Sequence, residues 1–334
     1  MTTLKLTPSK LQHLKNLSNN NDVIGALAID QRGALRKMMT AGGGSTDDSS
    51  IIHFKELISQ ELTPFSTSIL LDPEYGVPAA ALRHENSGLI IAYEKTGYDA
   101  ATVGRIPDLL PNWSAKRIKE LGADAVKVLI YFDIDESDDV NDIKKAWVER
   151  VGSECVAEDI PYFLEILTYD ASDSDVKGEE YAKIKPHKVI EAMKLFSDSR
   201  YNIDVLKVEV PVNMAYVEGF TKDGIAPLHT RQEALNFFKA QSDATHLPFI
   251  FLSAGVSAKL FQDTLRFAKE AGSTFNGVLC GRATWADSVA VYAKDGDEAG
   301  RAWLAKHGRQ NMEELNAVIN EAATPWTDKV ELKA

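Results

Sequence analysis

Residues 125–133, AVKVLIYFD, form an apolar stretch with hydrophobic side chains on both faces of a predicted strand and a single lysine in its interior. Such runs are typical of strands in a parallel sheet that is covered on both faces. Seven similar stretches recur along the chain. The eight predicted strands lie at residues 23–30, 68–73, 88–94, 125–133, 162–170, 205–211, 248–255 and 277–284.

Segments with helical periodicity separate most of these strands. Residues 257–272 predict a helix that starts at Ser257 and ends at Gly272, and residues 230–241 follow the same pattern. Eight strands that alternate with helices favour an α/β fold of the (β/α)₈ TIM-barrel type. We expect one domain over residues 1–334, with extra helices at both termini. The third unit is the weakest, because the segment between the second and third strands is short.

A doubly wound open sheet is the alternative arrangement of alternating strands and helices. That fold usually binds nucleotides and carries a glycine-rich turn after its first strand. Here the first predicted strand is followed by DQRGALRK, residues 30–37, which lacks that pattern. The sequence therefore favours the closed barrel, and the open sheet is the second interpretation.

The composition excludes several classes of partner. The 334 residues carry a formal net charge of −12, with 26% charged and 44% hydrophobic residues. An acidic chain is a poor ligand for nucleic acid or anionic membranes, and no apolar run is long enough to cross a bilayer. Residues 1–17 lack the apolar core of a signal peptide, and Cys155 and Cys280 are expected to be reduced, buried thiols. We therefore expect a cytoplasmic protein that binds neither nucleic acid nor membrane.

Charged side chains interrupt the apolar strands, and in TIM barrels the catalytic groups lie at the carboxyl ends of strands. Lys207 and Glu209 are two residues apart, so they are predicted to point to one side of their strand, where they could pair. A structural ion pair is the alternative interpretation of any one of these charges. For the set we favour catalysis, because buried charges are costly. The charged positions are Asp30, Asp72, Lys127, Glu165, Lys207 and Glu209.

Two lysines and a glutamate on neighbouring strands suit Schiff-base chemistry. A lysine amine attacks a ketone only when neutral, and the ordinary lysine pKa of about 10.4 leaves few neutral molecules at pH 7. Burial and a neighbouring cation both favour the neutral amine, and Lys127 is predicted to be that cation for Lys207. Glu165 could then take the proton from the adjacent hydroxyl as a carbon–carbon bond breaks.

The candidate phosphate-binding residues lie after the seventh and eighth predicted strands, where many TIM barrels bind phosphate. Ser253 and Gly255 precede a helix, and Gly281 and Arg282 end the eighth strand. Glycine lets backbone amides approach an anion, and arginine can bind phosphate with two hydrogen bonds. For Ser253 and Gly255 an ordinary strand-to-helix turn is the alternative. Gln31, directly after the first predicted strand, completes the candidate substrate-binding set.

Metal catalysis is not indicated by the seven histidines. None lies on a predicted strand, and none has the H-x-E or H-x-x-x-H spacing of metal sites. We expect surface or helical positions for them and no metal site. The histidines are His13, His53, His84, His187, His229, His246 and His307.

Nearly end to end, the sequence resembles the class I tagatose-1,6-bisphosphate aldolases of bacterial lactose and galactose catabolism. Together the matching motifs are highly specific, and no departure is seen at the site positions. The motifs are ALAIDQRGAL (26–35), SILLDPEYG (68–76), AYEKTGYDA (92–100), GADAVKVLIYFD (122–133), PYFLEILTYD (161–170), IDVLKVEVPVNMAYVEGF (203–220), LSAGVSAKLFQ (252–262) and GVLCGRATWA (277–286).

The resemblance implies reversible cleavage of tagatose 1,6-bisphosphate to glycerone phosphate and glyceraldehyde 3-phosphate, with tolerance of fructose 1,6-bisphosphate. It implies no metal or organic cofactor and a cytoplasmic homo-oligomer. Its partners would be phosphorylated ketohexoses and triose phosphates. By motif, Lys207 matches the Schiff-base lysine, Glu165 the acid/base group, Lys127 and Asp30 supporting polar residues, and Ser253, Gly281 and Arg282 the binders of the ketone-half phosphate.

Two rival functions stay open at this point. An aldolase of a sulfonated sugar phosphate would share every catalytic residue and differ in what binds the far end of its substrate. A sugar-phosphate-sensing regulator on the same fold is expected to have lost Lys207 or Glu165, and both are present. The candidate residues for the far end, which surface solvation explains as well, are Arg105, Lys183, Lys185 and His187.

Overall fold

The computed structural model describes residues 3–95, 103–172, 175–222 and 224–333. Part of one motif, residues 96–100 of AYEKTGYDA, lies outside these ranges. The strands are β1 (Leu4–Leu6), β2 (Ile24–Ile29), β3 (Ser68–Leu71), β4 (Gly88–Ala92), β5 (Ala125–Phe132), β6 (Tyr162–Thr168), β7 (Val205–Val208), β8 (Phe249–Leu252), β9 (Gly277–Cys280) and β10 (Val330–Leu332).

Helices follow the strands in alternation. A π-helical turn, Leu304–Gly308, joins the last two of them. The helices are α1 (Pro8–Asn16), α2 (Gly33–Ala41), α3 (Asp48–Leu62), α4 (Val77–Ala81), α5 (Ala115–Glu120), α6 (Asp138–Ala157), α7 (Glu179–Phe196), α8 (Arg231–Asp243), α9 (Ala258–Glu270), α10 (Arg282–Asp295), α11 (Asp297–Trp303) and α12 (Arg309–Ala322).

Strands β2 to β9 form a closed parallel barrel in chain order, with β9 paired to β2. The predicted TIM barrel is confirmed, and the open sheet is wrong. Each of the eight apolar stretches contains one barrel strand, which ends one to four residues before the predicted end. Those last residues lie in the loops at the carboxyl end of the barrel, except residues 282–284 of the eighth predicted strand, which begin α10. The short third unit is closed by α4, a helix of only five residues.

The barrel has two apolar cores, one inside it and one between its strands and the surrounding helices. The inner core includes Ala125, Phe163 and Val205, which lie on three successive strands. Side chains two residues apart on a strand share a face, so the next inward side chain on each strand is charged. These three inward residues are Lys127, Glu165 and Lys207.

Local capping sets the start of the two helices predicted above. The side chain of Ser257 accepts a hydrogen bond from the amide of Leu260 at the start of α9. Thr230 and Glu233 form a reciprocal capping box at the start of α8. Such caps satisfy amides that have no partner within the helix, which is why the sequence marks these ends well.

The chain termini close the amino end of the barrel. β1 pairs with β10 in a two-stranded parallel sheet that the sequence did not predict. Leu14, Leu17 and Trp326 pack on the inner core from below. The expected extra helices are present as α1 at the start and α11 and α12 at the end. None of the helices in the described ranges is long and apolar enough to cross a membrane.

Candidate active site

Lys127 lies at the centre of a cluster of charged side chains near the carboxyl end of the barrel. Its side chain is fully buried on β5. The Nζ atom lies 3.0 Å from Oδ2 of Asp30 and 2.7 Å from Oε1 of Glu94, which follow β2 and β4. It also lies 2.7 Å from Oε2 of Glu165 on β6. Three strands thus place a carboxylate around one ammonium group.

Lys207 joins this cluster through Glu165. The register of β6 and β7 places the two residues directly opposite each other, and Nζ of Lys207 lies 2.8 Å from Oε2 of Glu165. Lys207 is only 4% exposed. One carboxylate oxygen therefore contacts both Lys127 and Lys207, which gives the amine of Lys207 an immediate proton acceptor.

The charges divide the cluster into groups with different protonation. Burial alone would lower the pKa of Lys127, but Asp30, Glu165 and Glu94 raise it well above the ordinary value. Burial would raise the pKa of Asp30, yet Lys127 and Lys207 hold it below its usual range. Burial prevails at Glu94 and raises the pKa of that carboxyl group. Lys127 therefore stays charged, Asp30 stays ionised, and Glu94 is the more readily protonated carboxyl.

Glu94 was missed in the sequence. It is 3% exposed, and its Oε2 atom has no hydrogen-bond partner among the described residues. The available signal was its position, because Glu94 ends the third predicted strand as Asp30 and Asp72 end the first two. That signal is weak, since a residue just past a strand can turn inward or outward.

The structural alternative, in which Lys207 pairs with Glu209, does not hold. β7 ends at Val208, so strand alternation does not govern the direction of Glu209. Its Oε1 atom lies 3.1 Å from Nζ of Lys185 on α7, and its Oε2 atom accepts a hydrogen bond of 2.8 Å from the backbone amide of Thr168. Glu209 therefore ties β7 to β6 and α7, and the counter-ion of Lys207 is Glu165.

Asp72 also has a structural role. It forms a fully buried ion pair with Lys55 of α3. Nζ of Lys55 donates further hydrogen bonds to the carbonyl oxygens of Ile29 at 2.7 Å and Gln31 at 2.9 Å. The pair therefore fixes α3 against the ends of β2 and β3, as the structural interpretation predicts.

The candidate phosphate-binding residues come together after β8 and β9. Ala254 and Gly255 both have positive φ, at 49° and 75°, so the chain turns sharply just before α9. A Cβ atom at Gly255 would lie 3.0 Å from Cζ of Arg282, so that guanidinium stands directly against the glycine. Arg282 is exposed at the first turn of α10, while Ser253 is buried. Glycine, arginine and a helix start are a combination that suits a phosphate group.

Gln31 lies at the same side of the barrel mouth. A Cβ atom at Gly281 would lie 3.5 Å from Nε2 of Gln31 and 2.9 Å from the carbonyl oxygen of Ala28, so glycine permits this close approach. The Oε1 atom of Gln31 is buried without a hydrogen-bond partner among the described residues. An amide with an unused acceptor next to the glycine turn is suited to a hydroxyl-bearing substrate.

The four candidates for binding the far end of the substrate differ in whether they pair with a carboxylate. Lys183 is exposed on α7 beside Glu179 and Glu180, and Lys185 pairs with Glu209. His187 lies 3.0 Å from Asp135 on the surface. Arg105 is different, because it is buried between two tyrosine rings.

The histidines and cysteines lie outside the charged cluster. The seven histidines are on helices or loops, as expected. In the described ranges no group of three or more His, Cys, Asp or Glu residues is arranged to hold a metal. Both thiols are buried and free, and burial raises the pKa of Cys280 to about 12.

In a comparison with known protein families, residues 24–287 match the DeoC/LacD family aldolases. The chain is 59% identical to tagatose 1,6-diphosphate aldolase 1 of Enterococcus faecalis over 98% of this chain and 99% of that protein. It is 57% identical to tagatose 1,6-diphosphate aldolase of Lactococcus lactis over 97% and 99% of the two chains.

Solved structures of more distant proteins share the fold. A fructose-bisphosphate aldolase of Plasmodium falciparum superposes with a TM-score of 0.69 at 17% identity, over 97% of this chain and 99% of that one. A Schiff-base-forming fructose-1,6-bisphosphate aldolase superposes with a TM-score of 0.55 at 17% identity, over 92% and 99%.

Proposed function

Because the chain belongs to the DeoC/LacD family of aldolases, we propose that it reversibly cleaves D-tagatose 1,6-bisphosphate through an imine on Lys207. The products are glycerone phosphate and D-glyceraldehyde 3-phosphate. The observation that carries this proposal is the buried contact of 2.8 Å between Lys207 and Glu165. The names of the relatives from Enterococcus faecalis and Lactococcus lactis support the choice of sugar.

Imine formation begins with the proton of Lys207. Glu165 accepts that proton across the 2.8 Å contact, and the neutral amine attacks C2 of the ketose. The nitrogen proton passes to the oxygen of the adduct, which is a neutral carbinolamine. Glu165 then returns its proton to the hydroxyl group, which leaves as water, and a cationic iminium remains on Lys207.

Carbon–carbon cleavage uses the same two residues. The Glu165 carboxylate takes the proton of the C4 hydroxyl, and the electrons of the C3–C4 bond move into the iminium. Glyceraldehyde 3-phosphate leaves, and an enamine of glycerone phosphate remains on Lys207. Protonation at C3 by Glu165 restores the iminium, and water releases glycerone phosphate and the lysine ammonium. The cycle is balanced without a metal or organic cofactor.

The other residues assist at fixed places. Lys127 holds Glu165 from the side opposite Lys207, and Asp30 balances the charge of Lys127. The phosphate on the ketone half binds at the turn formed by Ser253 and Gly255 with Arg282. In this proposal Gly281 and Gln31 line the same side of the mouth, where Oε1 of Gln31 accepts a hydrogen bond from a substrate hydroxyl.

We also propose that D-fructose 1,6-bisphosphate is cleaved. The two sugars differ only in the orientation of the C4 hydroxyl, and strong rejection needs polar groups that one epimer leaves unpaired. Comparison of kcat/KM for the two bisphosphates tests this. A preference of more than about a thousandfold, which corresponds to ~4 kcal/mol, contradicts it.

Covalent trapping tests the central proposal. An iminium is reduced by borohydride to a stable secondary amine, whereas a lysine in an ion pair is not. Glycerone phosphate with borohydride should inactivate the enzyme and add mass at Lys207. Chelators should leave the activity unchanged. If Lys127 is labelled instead, the roles of the two lysines are exchanged. If no residue is labelled and chelators abolish the activity, the Schiff-base mechanism is wrong.

A further inference from the structure

Among the buried lysines and arginines of the described residues, one has no carboxylate partner. Nine lysines and arginines are buried among the described residues, and eight of them lie within 4.0 Å of a carboxylate oxygen. The ninth is Arg105, which is 9% exposed; in the described part of the chain its guanidinium forms no ion pair and donates no hydrogen bond. Burial of a charge without a partner is costly, so such a group is suited to an anionic ligand.

Two tyrosine rings hold this guanidinium in place. Cζ of Arg105 lies 5.1 Å from the ring centroid of Tyr131 and 4.2 Å from that of Tyr169. Stacking on aromatic faces orients the planar group but leaves its N–H edges without acceptors. The backbone of Arg105 has a φ of 42°, an unfavourable value for a residue with a side chain, which the surrounding packing must enforce.

Arg105 lies on the other side of the barrel mouth from the turn that holds Arg282. Arg105 lies in the loop after β4 and stacks on Tyr131 at the end of β5. β5 is four strands away from β9 in either direction around the barrel, so it faces the turn that holds Arg282. Lys207, on β7, lies two strands from each.

From these observations we propose that Arg105 binds the phosphate on the aldehyde half of the substrate, across the barrel mouth from Arg282. This inference rests on the proposed function, which supplies a substrate with a phosphate at each end. The ketone-half phosphate lies against Gly255 and Arg282, C2 is bonded to Lys207, and the chain extends toward β5. Arg105 then receives the distal phosphate through its free N–H groups.

The test compares two reactions that differ in this phosphate. Cleavage of tagatose 1,6-bisphosphate requires it, whereas exchange of the C3 hydrogen of glycerone phosphate with deuterium from D₂O does not. In Arg105→Met the ratio of kcat/KM for cleavage to that for exchange should fall by about 10- to 100-fold, the value of a charge-assisted hydrogen bond, with a raised KM. Arg105→Lys, which keeps the charge, should lose less.

A matched control is available at the opposite end of the barrel. Arg200 stacks on Tyr201 with Cζ 5.7 Å from the ring centroid and pairs with Glu149, before the start of β7. Arg200→Met should therefore leave the ratio unchanged. Equal losses of cleavage and exchange in both Arg105 variants would mean that the arginine only supports the loop by stacking. Absence of exchange in the wild-type enzyme would instead overturn the Schiff-base function, and the inference with it.

Discussion

The two sides of the barrel mouth treat charge in opposite ways. On β5 to β7, Lys127 and Lys207 share one oxygen of Glu165. After β8 and β9, Arg282 has no carboxylate within 4.0 Å in the described ranges and stands against a glycine turn. In the first arrangement the charges compensate one another, and in the proposed mechanism Glu165 exchanges protons with Lys207. The second keeps a cation and backbone amides available for an anion from outside.

This difference separates chemistry from binding. A buried ion cluster must compensate its own charges, because water is excluded and each unpaired charge is costly. An exposed arginine pays little for having no partner, since water solvates it until a phosphate arrives. Substitutions on the first side should therefore alter turnover and pH dependence, whereas substitutions on the second side should alter the use of phosphate.

The largest effect is expected at Lys207. Lys207→Ala removes the nucleophile, so turnover should fall by about four orders of magnitude or more, as for other covalent catalysts. Steady-state assays with tagatose 1,6-bisphosphate measure this loss. Circular dichroism should show an intact barrel, because the buried carboxylate of Glu165 keeps its contact with Lys127. Retention of even a few per cent of the activity in a pure sample would assign the nucleophile elsewhere.

Lys127→Met should have the next largest effect. It leaves Asp30, Glu94 and Glu165 without their shared cation, so the electrostatic potential around the cluster becomes more negative. We expect kcat to fall by about 100- to 1,000-fold and the pH–rate profile to move to higher pH. A pH titration of kcat/KM checks both. An unchanged profile would show that Lys127 binds substrate or serves the fold alone.

Arg282→Ala examines the other side of the comparison. Loss of the guanidinium should reduce kcat/KM for the bisphosphate by about 10- to 100-fold, since a charged hydrogen-bonding pair is lost. A ketose that lacks the ketone-half phosphate should be affected much less. Assays of both substrates with the same variant give the ratio. Equal losses would remove the assignment of Arg282 to phosphate.

The smallest effects concern stability, and they should have opposite signs at Asp30 and Glu94. The folded pKa of Asp30 is depressed, so its ion pairs stabilise the fold above the ordinary carboxyl pKa and are lost as the pH falls below it. The folded pKa of Glu94 is raised, so its ionisation costs stability as the pH rises. Urea unfolding at pH 3 and pH 7 should show Asp30→Asn losing more stability, relative to wild type, at pH 7.

Under the same conditions Glu94→Gln, which mimics the protonated carboxyl, should gain stability relative to wild type as the pH rises from 3 to 7. The two variants are mutual controls, because both replace a carboxylate that contacts Lys127 with an amide. Parallel pH dependence in the two variants would show that burial does not distinguish these carboxyl groups.

The sequence pattern predicted those features that depend on the residues of a single strand or helix end. The apolar runs predicted all eight barrel strands, and Lys127, Glu165 and Lys207 were visible because a charge in the middle of such a run is unusual. The cap residues Ser257 and Thr230 likewise marked helix starts, since a capping side chain acts within its own turn.

The sequence gives little guidance to the direction of a side chain that lies just beyond a strand. Glu94, Asp72 and Glu209 all follow apolar runs, yet Glu94 turns toward Lys127 while Asp72 and Glu209 pair with lysines of the outer helices. The two-residue alternation that orients side chains on a strand no longer applies there. The sequence could not single out Arg105 either, because its lack of a carboxylate partner depends on which residues the fold places around it.

The amino-acid order alone was thus sufficient for the barrel class, the inward position of the lysine proposed as nucleophile, and the glycine–arginine turn. These features depend on periodicity, residue type and motif, which are properties of short segments. The partner of each charge was settled by the closed barrel itself. Glu165 meets Lys207 because the register of β6 and β7 places them opposite each other. Arg105 contacts Tyr131 of β5, and the closed barrel places β5 four strands from β9, the strand before Arg282. Such pairings join residues distant in the chain, so only the folded geometry contains them.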